Sequence, residues 1–363
     1  MRVKLGDVCE RGTSNLKLSD VSEKNGEFSV FGASGYIGSV DFYQQGYPYV
    51  AVVKDGAGIG RAMLCPGKTS VIGTMQYLLP KDNILPKYLF YVVKYMNLEK
   101  YFTGATIPHI YFKDYKNEEF NFDFWERQVE IVSVLSKCEK VIDLCKQELQ
   151  LLDKLIKARF VEMFGDVIHN SKKWQVCLFA EITSSRLGKM LDAKQQTGRN
   201  SYPYLANFNV QWFRFNLENL NKMDFDEKDR AEFELREGDL LVCEGGEIGR
   251  CAVWHNELQP CFFQKALHRV RCNHQIILPD YLAWWFRYNC DYGGFSALAG
   301  AKATIAHLPG AKLKQLQVAV PPMELQEQFA VFVAQTDKSK VAVQKALDET
   351  QTLFDSLMQE YFG

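Results

Sequence analysis

The most regular pattern of apolar and polar positions lies in two stretches, of 40 and 41 residues. Residues 125–164, WERQVEIVSVLSKCEKVIDLCKQELQLLDKLIKARFVEMF, contain neither proline nor glycine. Their apolar residues fall at Ile131, Leu135, Cys138, Ile142, Cys145, Leu149, Leu152, Ile156 and Met163. This alternating four- and three-residue spacing predicts a long helix with a single coiled-coil seam. The same register in residues 323–363 gives Phe329, Val333, Val343, Leu347, Phe354, Leu357 and Tyr361, with Thr336, Lys340 and Thr350 interrupting. Pro321-Pro322 stand just before the second stretch, where proline ends a strand ahead of a helix. Each helix would be roughly 60 Å long at 1.5 Å per residue. Such a seam cannot stay in water, so the two helices are expected to pair antiparallel, with β-rich units at opposite ends. The competing arrangement is two ordinary core helices inside one globule.

The rest of the chain carries strand periodicity. YPYVAVVKDGAGIGRAML and GDLLVCEGGEIGRCAVW each place β-branched apolar runs on both sides of a glycine-rich turn, the chemistry of a hairpin. Gly56, Gly58, Gly60 and Arg61, followed by Gly67-Lys68-Thr69, invite a nucleotide-loop reading as well. A dinucleotide-binding glycine loop must open a helix, and no helical period follows Arg61. A P-loop would need glycine at position 62, which is Ala62, and VIGTMQYLL after Thr69 has the look of a strand. FGASGYIG at 31–38 lacks a cofactor-loop spacing. The glycines are therefore read as hairpin geometry.

The two hairpins belong to a repeat. Gly56, Ile59, Gly60 and Arg61 recur as Gly245, Ile248, Gly249 and Arg250; PKYLFYVVKY from Pro86 recurs as PDYLAWWFRY from Pro279; and ATIPH at 105–109 recurs as ATIAH at 303–307. The stretch from Trp125 to Gly165 lies over Met323 to Gly363 without a gap, with matches that include Glu126/Glu324, Gln128/Gln326 and Leu149/Leu347. Each copy reads as a β-rich part, a helix, a Gly/Thr loop, one more strand and a long helix. The expected organisation is an α+β chain with two β-rich domains, 1–124 and 166–322. A spacer helix, 125–165, lies between them, and a second long helix, 323–363, pairs with it.

Composition narrows the class. Hydrophobic content of 47% and aromatic content of 13% suit a packed fold. No apolar run is long enough for a membrane span, and MRVKLGDVCE has no secretory core, so a cytoplasmic protein is expected. The ten cysteines form no C-x-x-C pair and read as reduced, buried thiols. Net charge is −1, so any electropositive surface must be a local patch on the two larger blocks.

The paired GxIGR hairpins, the TGATIPH and GAKATIAH loops, and VAVPPMELQEQFA together resemble the specificity (S) subunit of a type I restriction–modification system, and the resemblance covers essentially the whole chain. At the first helix junction, NFDFWERQVEIV, the prolines are absent. The resemblance implies a chain that reads double-stranded DNA without doing chemistry. Each β-rich part would act as a target-recognition domain for one half-site of an asymmetric, interrupted target, and the helices would fix the gap. It also implies two methylation (M) subunits carrying S-adenosylmethionine and restriction (R) subunits using ATP and Mg, with no cofactor, metal or catalytic residue in this chain. Two readings of other classes stand beside it: a scaffold whose paired helices dock proteins without touching DNA, and a nucleotide-binding enzyme using the 56–60 loop.

Base edges are read by Arg, Lys, Asn, Gln, Ser and Thr, and phosphates are held by Lys, Arg and backbone amides. In the first domain this points to Ser34, Tyr36, Lys54, Arg61, Thr103, Thr106 and His109. In the second it points to Arg186, Lys189, Asn207, Asn209, Arg250, Lys302, Thr304 and His307. The recurring pairs Arg61/Arg250, Thr106/Thr304 and His109/His307 suit phosphate contact or structure, because a repeated residue does not distinguish unlike half-sites. YLAWWFRY, 281–288, is expected to be a core helix, and the acidic run 224–239 a solvated loop.

Overall fold

The computed structural model describes residues 1–21, 26–104, 108–192, 196–296 and 307–363. The chain divides into two compact units, one of residues 1–149 with 342–363, the other of residues 150–341. Each long helix, Trp125–Phe164 and Met323–Phe362, therefore contributes to both units.

The first unit is built on a four-stranded antiparallel sheet in the order Cys9–Thr13, Met75–Pro80, Tyr49–Val53, Ala62–Cys65. A smaller sheet orders Gly35–Val40, Phe28–Gly32 and Ser70–Val71. Arg2–Lys4 pairs with Glu119–Asn121. Alternation on the main sheet sorts its side chains. Val50, Val52 and Leu78 join Tyr88, Leu89 and Val92 of the helix Pro86–Met96 in one core, while Tyr49, Ala51, Met75 and Tyr77 form a separate cluster. Residues Ile131, Leu135, Cys138 and Ile142 of the spacer helix close that core together with Phe354, Met358 and Phe362.

The second unit repeats the plan. Its main sheet orders Thr183–Leu187, Leu267–Cys272, Leu240–Cys243 and Cys251–Val253; its smaller sheet orders Asn221–Asp224, Ser201–Leu205 and Phe262–Phe263. Gln175–Leu178 pairs with Gln317–Val320. The run 281–288 lies in the helix Pro279–Asp291 and buries Tyr281, Leu282, Trp284, Trp285 and Phe286, as its apolar content requires. Ile156, Phe160, Met163 and Phe164 pack there with Phe329 and Val333. In each unit early turns of one long helix meet late turns of the other, so the pairing is antiparallel. The expected seam is the buried one, thinnest near its middle, where Lys340 reaches Asp153 at 2.7 Å and Asp337 at 3.0 Å.

The two helices start alike for a reason other than proline. Gln128 and Gln326 are both fully buried. Gln128 accepts from Leu85 N–H at 2.9 Å and donates to the carbonyls of Asn83 at 3.0 Å and Asp123 at 2.9 Å. Gln326 makes the corresponding bonds to Leu278 at 2.9 Å, Ile276 at 3.0 Å and Pro321 at 2.8 Å. One amide thus holds the first turn of a long helix against the N-terminus of the shorter one, whose first N–H groups have no partner of their own.

The acidic run 224–239 is packed, unlike the solvated loop expected from its charge. It forms the helix Glu227–Phe233, capped when Asp226 accepts from Asp229 N–H at 2.8 Å, and it buries Phe225, Phe233, Leu235 and Asp239. Apolar residues spaced between the acids decide its burial.

Candidate nucleic-acid interface

Both glycine loops are hairpin turns. Tyr49–Val53 pairs antiparallel with Ala62–Cys65, and Leu240–Cys243 with Cys251–Val253. Gly60 has φ +80°, and a Cβ there would come within 2.4 Å of Glu99 N. Gly249 has φ +78°, with Phe295 3.0 Å from the same position. Close approach and left-handed backbone require glycine at both sites. Strands on both sides leave no helix N-terminus for a nucleotide phosphate.

In the first unit the hairpin gathers a group of polar side chains. His109 Nδ1 lies 2.6 Å from Asp55 Oδ1, and its ring stacks on Tyr111 at 6.3 Å between centroids. Lys54 Nζ is 3.2 Å from the same carboxylate's other oxygen. Thr103 and His109 exchange both backbone bonds at 2.8 Å, which positions the exposed Thr103 hydroxyl beside them. Arg61 is exposed and donates once, at 3.3 Å, to the carbonyl of Ala33, in the turn that carries Ser34 and Tyr36. Ser34 is exposed, and Tyr36 is 62% exposed, its hydroxyl 3.0 Å from Ser39 Oγ. Asp55 and Tyr111 were not among the sequence candidates, because an isolated acid and an isolated aromatic carry no spacing signal.

The second unit uses the matching positions differently. Arg250 is half-buried; it donates to the backbone carbonyl and the Oδ1 of Asn207, both at 3.0 Å, and lies 3.6 Å from Glu247. Asn207 also donates to Gly245 O at 2.9 Å. Asn209 is buried: it accepts from Ala206 N–H and donates to Asn216 O, both at 2.9 Å. Lys189 is half-buried between Asp229 and the carbonyl of Asp224, at 2.6 Å from the latter. In this conformation Asn209 and Lys189 are held inside their loops. Arg186 is exposed but pairs with Glu232 at 2.5 Å, so the packed acidic helix engages both basic candidates of SSRLGK. His307 is exposed and bridges Gly245. Thr106, Lys302 and Thr304 lie outside the described residues.

The register explains one asymmetry. Ile110 N–H bonds to Lys54 O at 3.0 Å, and Leu308 N–H to Glu244 O at 2.7 Å. Lys54 thus corresponds to Glu244 and Asp55 to Gly245, because the first loop is one residue longer. Aligning the acids of DGAGIGR and EGGEIGR hides this, and only His109 has a carboxylate beside it at that position. Elsewhere, burial pushes the thiols of Cys9, Cys261, Cys272 and Cys290 up to about 12, so these cysteines are protonated at neutral pH rather than nucleophilic.

Two β-rich units of like topology, each closed by turns of both long helices, define the class by fold, and sequence comparison gives the family. The model of the type I restriction modification DNA specificity domain matches residues 1–154 and again 171–350. The chain belongs to that family. Among curated relatives, the type I restriction enzyme MjaIX specificity subunit of Methanocaldococcus jannaschii is 28% identical over 93 residues, 24% of this chain and 22% of that one. A second chain of that organism, provisionally assigned as the MjaX specificity subunit, is 23% identical over 176 residues, 47% of this chain and 41% of that one. The matches thus span less than half the length of these relatives. In fold, the S subunit of a type I restriction–modification system from M. genitalium aligns with a TM-score of 0.65 at 14% identity, covering 100% of this chain and 96% of that one. A chain from a structural study of complex assembly in a type I system aligns at 0.55 and 14%, covering 99% and 97%. No helix among the described residues is long and apolar enough to cross a membrane.

Proposed function

We propose that this chain is the DNA-reading subunit of a type I restriction–modification complex, each β-rich unit recognising one half of an asymmetric, interrupted target. The observation that carries this reading is one fold used twice with unlike exposed side chains around the same hairpin. In the first unit, Ser34, Tyr36 and Thr103 would meet base edges, and Lys54, Arg61, Thr106 and His109 would hold phosphates. In the second, Arg186, Lys302, Thr304 and His307 would contact DNA, while Lys189, Asn207, Asn209 and Arg250 shape the loops that present them. The paired helices would set the gap between half-sites and dock two M subunits carrying S-adenosylmethionine. R subunits using ATP and Mg would join that assembly, and the chain itself would be non-catalytic.

Selection from a random duplex pool by the chain bound to its M partner tests the reading. The expected product is a single enriched motif with two unlike halves and a fixed gap. A pool with no enriched bipartite sequence would favour the scaffold reading. Near-neutral net charge makes the M partner necessary in this experiment, since the chain as a whole offers phosphates no excess of positive charge.

A further inference from the structure

The outer strand of the main sheet has a cover in the second unit. A hairpin of Val210–Gln211 and Arg214–Phe215 lies against Cys251–Val253. Phe213 N–H donates to Cys251 O at 3.0 Å, and its ring stacks on Trp284 at 4.3 Å. Trp212 lies 4.7 Å from the Arg287 guanidinium and donates to Glu247 at 2.6 Å. Among the described residues the first unit has no such hairpin. Its chain turns back between Phe28–Gly32 and Gly35–Val40 through Ala33 and Ser34 alone, where the second runs from 206 to 220 before the next strand of the same sheet.

The matching strand, Ala62–Cys65, ends its sheet with no such hairpin against it among the described residues. Val53 N–H to Arg61 O at 3.0 Å and Cys243 N–H to Arg250 O at 2.8 Å fix a common register, so Ala62 corresponds to Cys251. No backbone donor from outside the hairpin reaches Ala62 among the described residues. A cleft of about 450 Å³ runs beside this edge, and Phe90, Ile142 and Phe354 are among its lining residues. Lys87, Lys94 and Lys146 line it as well, with Lys94 3.1 Å and Lys87 4.0 Å from Glu139. Lys94 corresponds to Arg287, the cation over Trp212, and its own ammonium already sits 4.8 Å from the Phe354 ring.

We propose that Ala62–Cys65 and this cleft receive a β-hairpin of another protein, set against the outer strand and carrying adjacent aromatic residues at its turn. One backbone bond to the carbonyl of Ala62 and rings entering beneath the lysines would hold it, as Phe213 N–H and Trp212 engage Cys251 and Arg287. The inference does not depend on the DNA-reading proposal. Its test uses a fluorescent cyclised peptide of residues 209–216, Asn-Val-Gln-Trp-Phe-Arg-Phe-Asn, added to the full chain, with hydrogen exchange as a second readout. Saturable binding is expected, with slowed exchange at 62–65 and none at 251–253. Replacing Trp and Phe of the peptide by Ala, or Lys94→Glu in the protein, should weaken it about tenfold. Absence of saturable binding, or protection confined to other segments, would overturn the proposal. So would protection of 62–65 that rises with protein concentration alone, which would assign the edge to a second copy.

Discussion

At the scale of single residues, repetition in sequence did not mean repetition of role. Arg61 and Arg250 share a motif and a hairpin, yet one faces solvent and the other is locked to Asn207. Arg61→Ala should leave thermal stability unchanged, weaken DNA binding evenly across sequences and reduce the salt slope by about one. Arg250→Ala should instead destabilise the second unit by about 1–3 kcal/mol, since it strips the Asn207 carbonyl of a donor. Equal loss of stability in both variants would contradict this division. A second contrast is titratable. His268 is buried, donates to Leu308 O at 2.9 Å, and burial lowers its pKa below 6.5. The matching strand position in the first unit is the buried Gln76. A depressed imidazole pKa stabilises the fold above pH 6.5, and that contribution is lost as pH falls. Urea unfolding should therefore show the second unit weakening below pH 6.5 by up to about 1.4 kcal/mol per pH unit. His268→Gln should flatten the profile; an unchanged slope would exclude His268 as its source. Neither contrast was legible in sequence, because burial and partners are set by distant strands.

At the scale of elements, much was legible. The four- and three-residue spacing located both long helices, and glycine between β-branched runs located both hairpins, since local periodicity and turn sterics act within a few residues. The packed acidic helix Glu227–Phe233 was not legible, because its charges outnumber the apolar residues that anchor it. The helix starts show the limit of motif reading most clearly. Pro321-Pro322 looked diagnostic, but the buried glutamines perform the shared work. Gln128→Leu or Gln326→Leu should each cost about 1–3 kcal/mol by orphaning the N–H of Leu85 or Leu278, measured by urea denaturation of the whole chain. Replacing Pro322 by Ala should cost less; the reverse order would refute this account.

At the scale of the whole molecule, the prediction concerns the helix pair. Each helix packs against the other in both units, so a spacer insertion must be matched. Seven residues added within 140–156, with seven more opposite them in 336–350, should keep the seam in register. They should lengthen the proposed gap by about 10 Å, roughly 3 base pairs, read by methylation or selection on spaced targets. A gap that stays fixed would defeat the proposed spacing role. What the sequence by itself determined is the duplication, the helical seam and the turn-forming glycines, all of them consequences of short-range periodicity and backbone sterics. Only the tertiary structure decided which repeated side chains are free, which strand edge is covered, and which carboxylate meets His109. Those outcomes depend on a one-residue difference in loop length and a hairpin insertion, whose effects appear only when remote segments share one surface.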